Sequence, residues 1–257
     1  MDAEFTPRAG PIEAQRTVRK SAPVTIMAIT LQAALNGPYS KDDHPALPVS
    51  ASELAADARA CVGAGAGAIH LHPRDAGGRE SLHAGVVDSV VREVRAACGA
   101  PVGVSTGAWI EPDLQRRLEL IAGWTEPDYA SVNVSEDGAF AVMRALTERG
   151  IGVEAGVWSV EDARRLMAAG PPPGLTRILV EPVDADPATA IGLVAAIRSE
   201  VRGAPILQHG DGAATWPLLE DAVRHGVATR IGLEDTLEAA NEELVRRAMT
   251  FVRRGRH

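Results

Sequence analysis

The sequence predicts an α/β fold, a single (β/α)8 TIM barrel, on three observations. Eight short β-like runs alternate with eight amphipathic, helix-like runs along 257 residues, a length at which such a barrel forms one domain. Nearly every β-like run turns polar at its C-terminal end, where that architecture gathers a site. No glycine fingerprint leaves a strand and opens a helix, as an open doubly wound sheet holding a nucleotide would need. The one superficial match, "GAGAGA" at 63–68, follows a helix-like run and precedes a strand-like one, the order of a helix stop and a tight turn.

Residues 1–22 mix charged and polar side chains without an apolar signal core and read as a flexible N-terminal arm, with 23–257 as the barrel domain. The first strand is expected at 24–30, "VTIMAIT", followed by a long loop at 31–49, placed to cover the site or to make an oligomer contact. "SASELAADARACVGAG" opens with a capping box, Ser50 to Glu53, and ends in glycine. The remaining strands are expected at 68–73, 102–107, 129–134, 152–157, 177–182, 205–210 and 229–235, each followed by a run of helical period.

Composition narrows the function. The formal net charge of −8 argues against nucleic-acid or anionic-membrane binding, though a local basic pocket can still hold an anionic ligand. No run of about 18 apolar residues is present, so no membrane span is expected. Cys61 and Cys98 sit in helix-like runs and read as reduced, packed thiols of a cytoplasmic protein. The only lysines are Lys20 and Lys41, which speaks against Schiff-base or pyridoxal chemistry.

The polar strand ends are Thr30, His70, His72, Ser105, Thr106, Asn133, Glu154, Glu181, Gln208, His209, Arg230, Glu234 and Asp235, expected to converge on one rim. In "AIHLHPRD" (68–75) His70 and His72 share a strand face, with Cα atoms ~6.5 Å apart. Two imidazoles so spaced can reach one ion; they can equally be hydrogen-bonded rim histidines. A third ligand has to come from another strand, and Glu234 in "RIGLED" (230–235) is the best candidate, since the last strand of a closed barrel lies one strand away from the second. Arg230, Gly232 and Glu234 share a face there, Gly232 leaving room between arginine and ligand, and Arg230–Asp235 reads either as a general-base pair or as a structural ion pair. Glu154 is a second acid/base group or an orienting carboxylate, and His209 a proton shuttle or a fixed wall. His44, His83 and His225 read as solvated or packing residues. Arg74 and Arg79 are open to a phosphate role or to plain solvation.

The stretches "LNG", "HPALPVS", "AGAGAIHLHPRDAGGRESL", "VGVSTGAW", "SVNVSE", "VEAGVW" and "TRIGLEDTL" together resemble the β-keto acid cleavage enzyme family, known for 3-keto-5-aminohexanoate cleavage, from about residue 24 to 250. The pairing of "HLHPRD" with "RIGLED" makes the resemblance specific. It implies a homotetrameric barrel with one Zn²⁺ (another divalent metal being the alternative) held by His70, His72 and Glu234. It places Ser105, Glu154, Arg230 and Asp235 as polar residues around the substrate, with Ser131 and Asn133 on the strand that supplies a further contact. Thr106 and His209 complete the candidate substrate-binding residues. The implied chemistry is a Claisen-type exchange between a β-keto acid and acetyl-CoA, giving acetoacetate and a new CoA thioester, with Asp235 as candidate base. The first long loop, "LNGPYSKDD", lacks the glutamate that holds an ammonium in the amino-substrate members. Two other readings are a different divalent-metal lyase, aldolase or hydrolase, and a non-catalytic metabolite-binding barrel.

Overall fold

The computed structural model describes residues 31–183, 185–201 and 203–254. They form a closed barrel of eight parallel strands: β1 (Leu31–Ala34), β2 (Ala68–Leu71), β3 (Val102–Ser105), β4 (Tyr129–Asn133), β5 (Gly152–Val157), β6 (Leu175–Val180), β7 (Ile206–Gln208) and β8 (Ala228–Ile231). Around it run α1 (Ala51–Ala64), α2 (Ala84–Cys98), α3 (Leu114–Ile121), α4 (Ala139–Glu148), α5 (Val160–Ala169), α6 (Pro187–Glu200), α7 (Thr215–Arg224) and α8 (Asn241–Arg254). The TIM barrel expected from the alternation is therefore present. No helix among the described residues is long and apolar enough to cross a membrane.

The helices start where side chains can satisfy their open N–H groups. Ser50 and Glu53 form the capping box of α1, Asp113 and Ser159 cap α3 and α5, and Asp186 caps α6 with Pro187 in its first turn. Outward-facing strand residues such as Ile69, Leu71, Val102, Val104, Ala130, Val132, Ala155 and Ile178 pack under the helices in one apolar layer. Cys61 and Cys98 are free thiols facing that layer, Cys61 fully buried.

The lumen is different. Because side chains alternate faces, Gln32, Tyr129, Glu154 and Arg177 point inward and fill it with a buried polar network. Arg177 donates to Glu154 Oε1 at 2.6 Å, Gln32 donates to the same oxygen at 3.2 Å and to the Tyr129 hydroxyl at 3.0 Å, and that hydroxyl donates to the Ile69 carbonyl at 2.6 Å. Gly103 makes room for the ring: a Cβ there would lie 1.9 Å from Tyr129.

The first strand corrects the sequence reading. It is "LQAA" at Leu31–Ala34, the start of what reads as a loop; 24–30, with Thr30, and the arm at 1–22 lie outside the described residues. Gln32 pairs with Ala68 on β2 and with Arg230 on β8, so barrel closure overrides the poor strand propensity of two alanines. Gly232 is a second correction. A Cβ there would sit 1.8 Å from the Ala34 carbonyl oxygen, so the glycine is demanded by the β1 backbone and not by space between Arg230 and Glu234.

Candidate metal centre

His70 ends β2 facing the lumen and His72 follows on the same face. Asn36 fixes His72 by its backbone, accepting from its N–H at 2.9 Å and donating to its carbonyl at 3.0 Å. Glu234 arrives from the turn after β8. Asn241 holds that turn, accepting from Leu233 N at 2.7 Å while donating to the Leu35 carbonyl and to Asp57, at 2.7 and 2.6 Å. Gly37, in the left-handed region at φ 53°, lets the β1–α1 loop lie against Glu234, where a Cβ would be 2.6 Å from Glu234 Cγ.

His70 Nε2 lies 3.5 Å from Glu234 Oε2 and His72 Nε2 lies 3.5 Å from Glu234 Oε1. One donor atom from each of the three residues falls within 4.8 Å of the others. Burial holds the His70 imidazole down to about 4, hence neutral, the form a ligand needs. Burial also disfavours the His72 cation, but Glu234 and Glu80 outweigh it and bring His72 up to about 9. Glu234 is opposed by burial, yet Arg230, His70 and His72 hold its carboxyl well below the usual range. Its Oε2 is buried without a hydrogen-bond partner among the described residues. Two imidazole nitrogens and a carboxylate, with an orphaned oxygen aimed among them, fit a mononuclear divalent metal.

A second cluster borders the centre. Arg230 donates to Asp235 Oδ1 from Nε at 3.0 Å and Nη2 at 2.7 Å, and to Glu234 Oε1 at 3.1 Å. Burial works against its charge, but Asp235, Glu234 and Glu181 more than compensate and raise it. Asp235 Oδ2 is buried without a hydrogen-bond partner among the described residues. His209 lies between Asp235 Oδ1 and Glu181 Oε2, 3.4 Å from each. Burial and Arg230 press its cation down, and the two carboxylates lift it to about 9.

Of the residues expected at the rim, His70, His72, Glu234, Arg230, Asp235 and His209 come together. Glu154 lies behind them, fully buried, and reaches the centre through Ser131: the Ser131 hydroxyl donates to Glu154 Oε2 at 3.0 Å and lies 3.4 Å from His70 Nδ1. Ser105 accepts from Gly107 N at the end of β3. Thr106 and Asn133 are tied into the frame instead, Thr106 donating to the Ser131 carbonyl at 2.8 Å and Asn133 to Glu136 at 2.8 Å. Gln208 does not converge on the rim: it binds Leu218 O, Asp221 and Arg198 in the helix layer outside the barrel. Arg74 clamps two loops through the carbonyls of Gly37, Tyr39 and Gly78, and Arg79 pairs with Asp75 on the surface.

Sequence reasoning missed Asn36, Asn241, Glu80 and Trp109. The first two act on backbone atoms, which no residue pattern announces. Glu80, 2.5 Å from His72 Nδ1, sits in a charged loop where nothing in the local sequence sets it apart from its neighbours.

The fold has clear counterparts. Two structures of ObcA match, the apo form at 18% identity over 80% of this chain and 61% of that one (TM-score 0.60), and the ternary complex with C4-CoA adduct and oxalate at 17% over 82% and 65% (TM-score 0.62). The chain therefore spans under two thirds of the length of ObcA. The 3-hexulose-6-phosphate synthase of Salmonella typhimurium matches at 15% identity over 88% of this chain and all of that one (TM-score 0.60). At these identities the likeness establishes the barrel and nothing finer. The model of the beta-keto acid cleavage enzyme family matches residues 28–257, and the chain belongs to that family.

Proposed function

We propose that the protein is a metal-dependent β-keto acid cleavage enzyme, taking a β-keto acid and acetyl-CoA to acetoacetate and an acyl-CoA. The observation that carries this reading is the His70–His72–Glu234 centre set beside a buried Asp235 whose Oδ2 has no hydrogen-bond partner among the described residues. In the exchange, the bond between the ketone carbon and C2 breaks, the acyl group passes to the CoA sulfur, and C2 takes the acetyl group. A divalent ion, Zn²⁺ for this donor set, would supply Lewis-acid polarisation of substrate oxygens when bound.

The chain's own residues do the rest. Asp235 takes the C2 proton: Arg230 holds its Oδ1 from two nitrogens and Oδ2 has no hydrogen-bond partner among the described residues, as suits an oriented base. His209, bracketed by Asp235 and Glu181, is placed to relay that proton or to meet the substrate carboxylate. Ser105 and Ser131 offer hydroxyls at the mouth, with Thr106 and Asn133 holding the strands that present them. Glu154, neutralised by Arg177, is a positioning residue that acts on His70 through Ser131. The same reading has the enzyme as a cytoplasmic homotetramer with no nucleic-acid or membrane partner.

The test is a panel of β-keto acids assayed with Zn²⁺-loaded protein, following acetoacetate, with acetyl-CoA present and absent. Production that needs acetyl-CoA supports the reading. Turnover of a β-keto acid without any CoA thioester would overturn it in favour of another metal-assisted lyase or a hydrolase.

A further inference from the structure

We infer that Glu80 is a positioning residue for the metal centre, and that it couples the ligand His72 to an indole, Trp109, on the neighbouring loop. The inference rests on the metal reading above and concerns residues that reading does not use.

The β2–α2 loop folds back on itself to deliver Glu80. Asp75 Oδ1 accepts from Gly77 N and Arg79 N at 2.8 and 3.0 Å, Asp75 N donates to Arg79 O at 2.8 Å, and Ser81 N to Pro73 O at 2.9 Å. Arg74 and Glu80 pair as an antiparallel bridge. The result puts the Glu80 carboxylate 2.5 Å from His72 Nδ1. In the neutral ring that a metal requires, a carboxylate there accepts a hydrogen bond from Nδ1–H, which fixes the ring's tautomer and orientation and leaves Nε2, the atom facing Glu234, with the free lone pair.

The same carboxylate holds Trp109. The indole N–H donates to both Glu80 oxygens, at 3.3 and 3.2 Å, and the ring stacks on His72 with centroids 6.1 Å apart and planes at 25°. Trp109 is 50% exposed, so a large apolar ring stands at the mouth in place of the interior. Its seat is Gly107, where a Cβ would lie 2.4 Å from indole carbons. One carboxylate therefore orients a ligand and tethers the aromatic wall beside it.

The experiment is metal affinity measured by competition with a chromophoric chelator, together with tryptophan emission during titration with Zn²⁺ and Co²⁺, on the full chain. Glu80→Gln is expected to weaken Zn²⁺ binding about 10–100-fold, with the far-ultraviolet spectrum of the metal-free protein unchanged. Glu80→Asp, a carboxylate one methylene short, is expected to fall between parent and Glu80→Gln, and it carries the test if the glutamine variant fails to fold. Co²⁺ should quench tryptophan emission in the parent, and Trp109→Phe should remove most of that quench. Gly107→Ala displaces the indole and its N–H bonds to Glu80 but leaves the carboxylate beside His72, so it should weaken the quench while keeping affinity within a few-fold of the parent's. Glu80→Gln with parental affinity, while Glu234→Gln has lost the metal, would overturn the inference and leave the metal centre standing. If the parent binds neither ion, the inference and the metal reading fall together. Affinities as expected in a protein that cleaves no β-keto acid would support the inference and count against the proposed activity alone.

Discussion

Two buried ionic clusters share this barrel and are treated differently by their surroundings. In the lumen, Glu154 has both carboxylate oxygens taken, one by Arg177 and Gln32, the other by Ser131. At the rim, Arg230 binds one oxygen each of Asp235 and Glu234, and Glu234 Oε2 and Asp235 Oδ2 remain without hydrogen-bond partners among the described residues. Desolvated carboxylate oxygens are costly when left unpaired. The lumen keeps groups without hydrogen-bond partners too, Gln32 Oε1 and Arg177 Nη2 among the described residues, but its carboxylate is fully bonded, whereas each rim carboxylate keeps one open oxygen, the feature on which the proposed metal and substrate roles rest. On the proposed reading the lumen cluster is architecture and the rim cluster is the site it supports.

Substitutions should sort by cluster. The largest effect is expected from Asp235→Asn, which keeps shape but removes the proposed base: kcat for acetoacetate formation should fall about 10²–10⁴-fold, with the melting temperature unchanged or raised. The reverse pattern is expected for Glu154→Gln. That change leaves Arg177 as an unpaired buried charge, and denaturant unfolding should show a loss of about 3–5 kcal/mol. Equal stability losses in the two variants would erase the distinction between the clusters. Asn241→Ala removes the clamp on Leu233 N and should cost about 1–3 kcal/mol in the same unfolding experiment, with weaker metal binding because Glu234 is the next residue.

The smallest effect is a pH slope. Burial raises the Asp57 carboxyl from the ordinary aspartate range to about 6. The folded state thus holds the proton more tightly than the unfolded chain, and folding stability attributable to Asp57 is lost as pH rises from about 4 through about 6. Asp57→Asn should flatten that part of the stability–pH curve and gain about 1–2 kcal/mol above it. Unfolding curves collected across that window check the sign.

What was legible in the sequence follows the same division. "HLHPRD" and "RIGLED" stand out because metal chemistry restricts which side chains can serve, and a period of two puts both histidines on one face. Arg230–Asp235 was readable for the same reason. The lumen network was not: Gln32, Tyr129 and Arg177 meet only because the barrel closes, and β1 itself was placed too early because "VTIMAIT" has the stronger strand composition. Gln208 misled in the opposite way. A polar strand end reads as rim, yet its alternate face sends it to Arg198 and Asp221 in the helix layer. Glu80 and Trp109 depend on a loop folding back across 73–81, a geometry that spacing does not encode.

The most direct measurement is elemental analysis of purified protein after exposure to Zn²⁺ and desalting, for the parent, Glu234→Gln and Glu154→Gln. A metal centre at the rim requires about one divalent ion per chain in the parent, loss of the ion in Glu234→Gln, and retention in Glu154→Gln wherever that variant is folded. A parent that holds no divalent metal and takes up no Zn²⁺, or a Glu234→Gln protein that binds as much as the parent, would contradict the assignment of the rim as a metal centre.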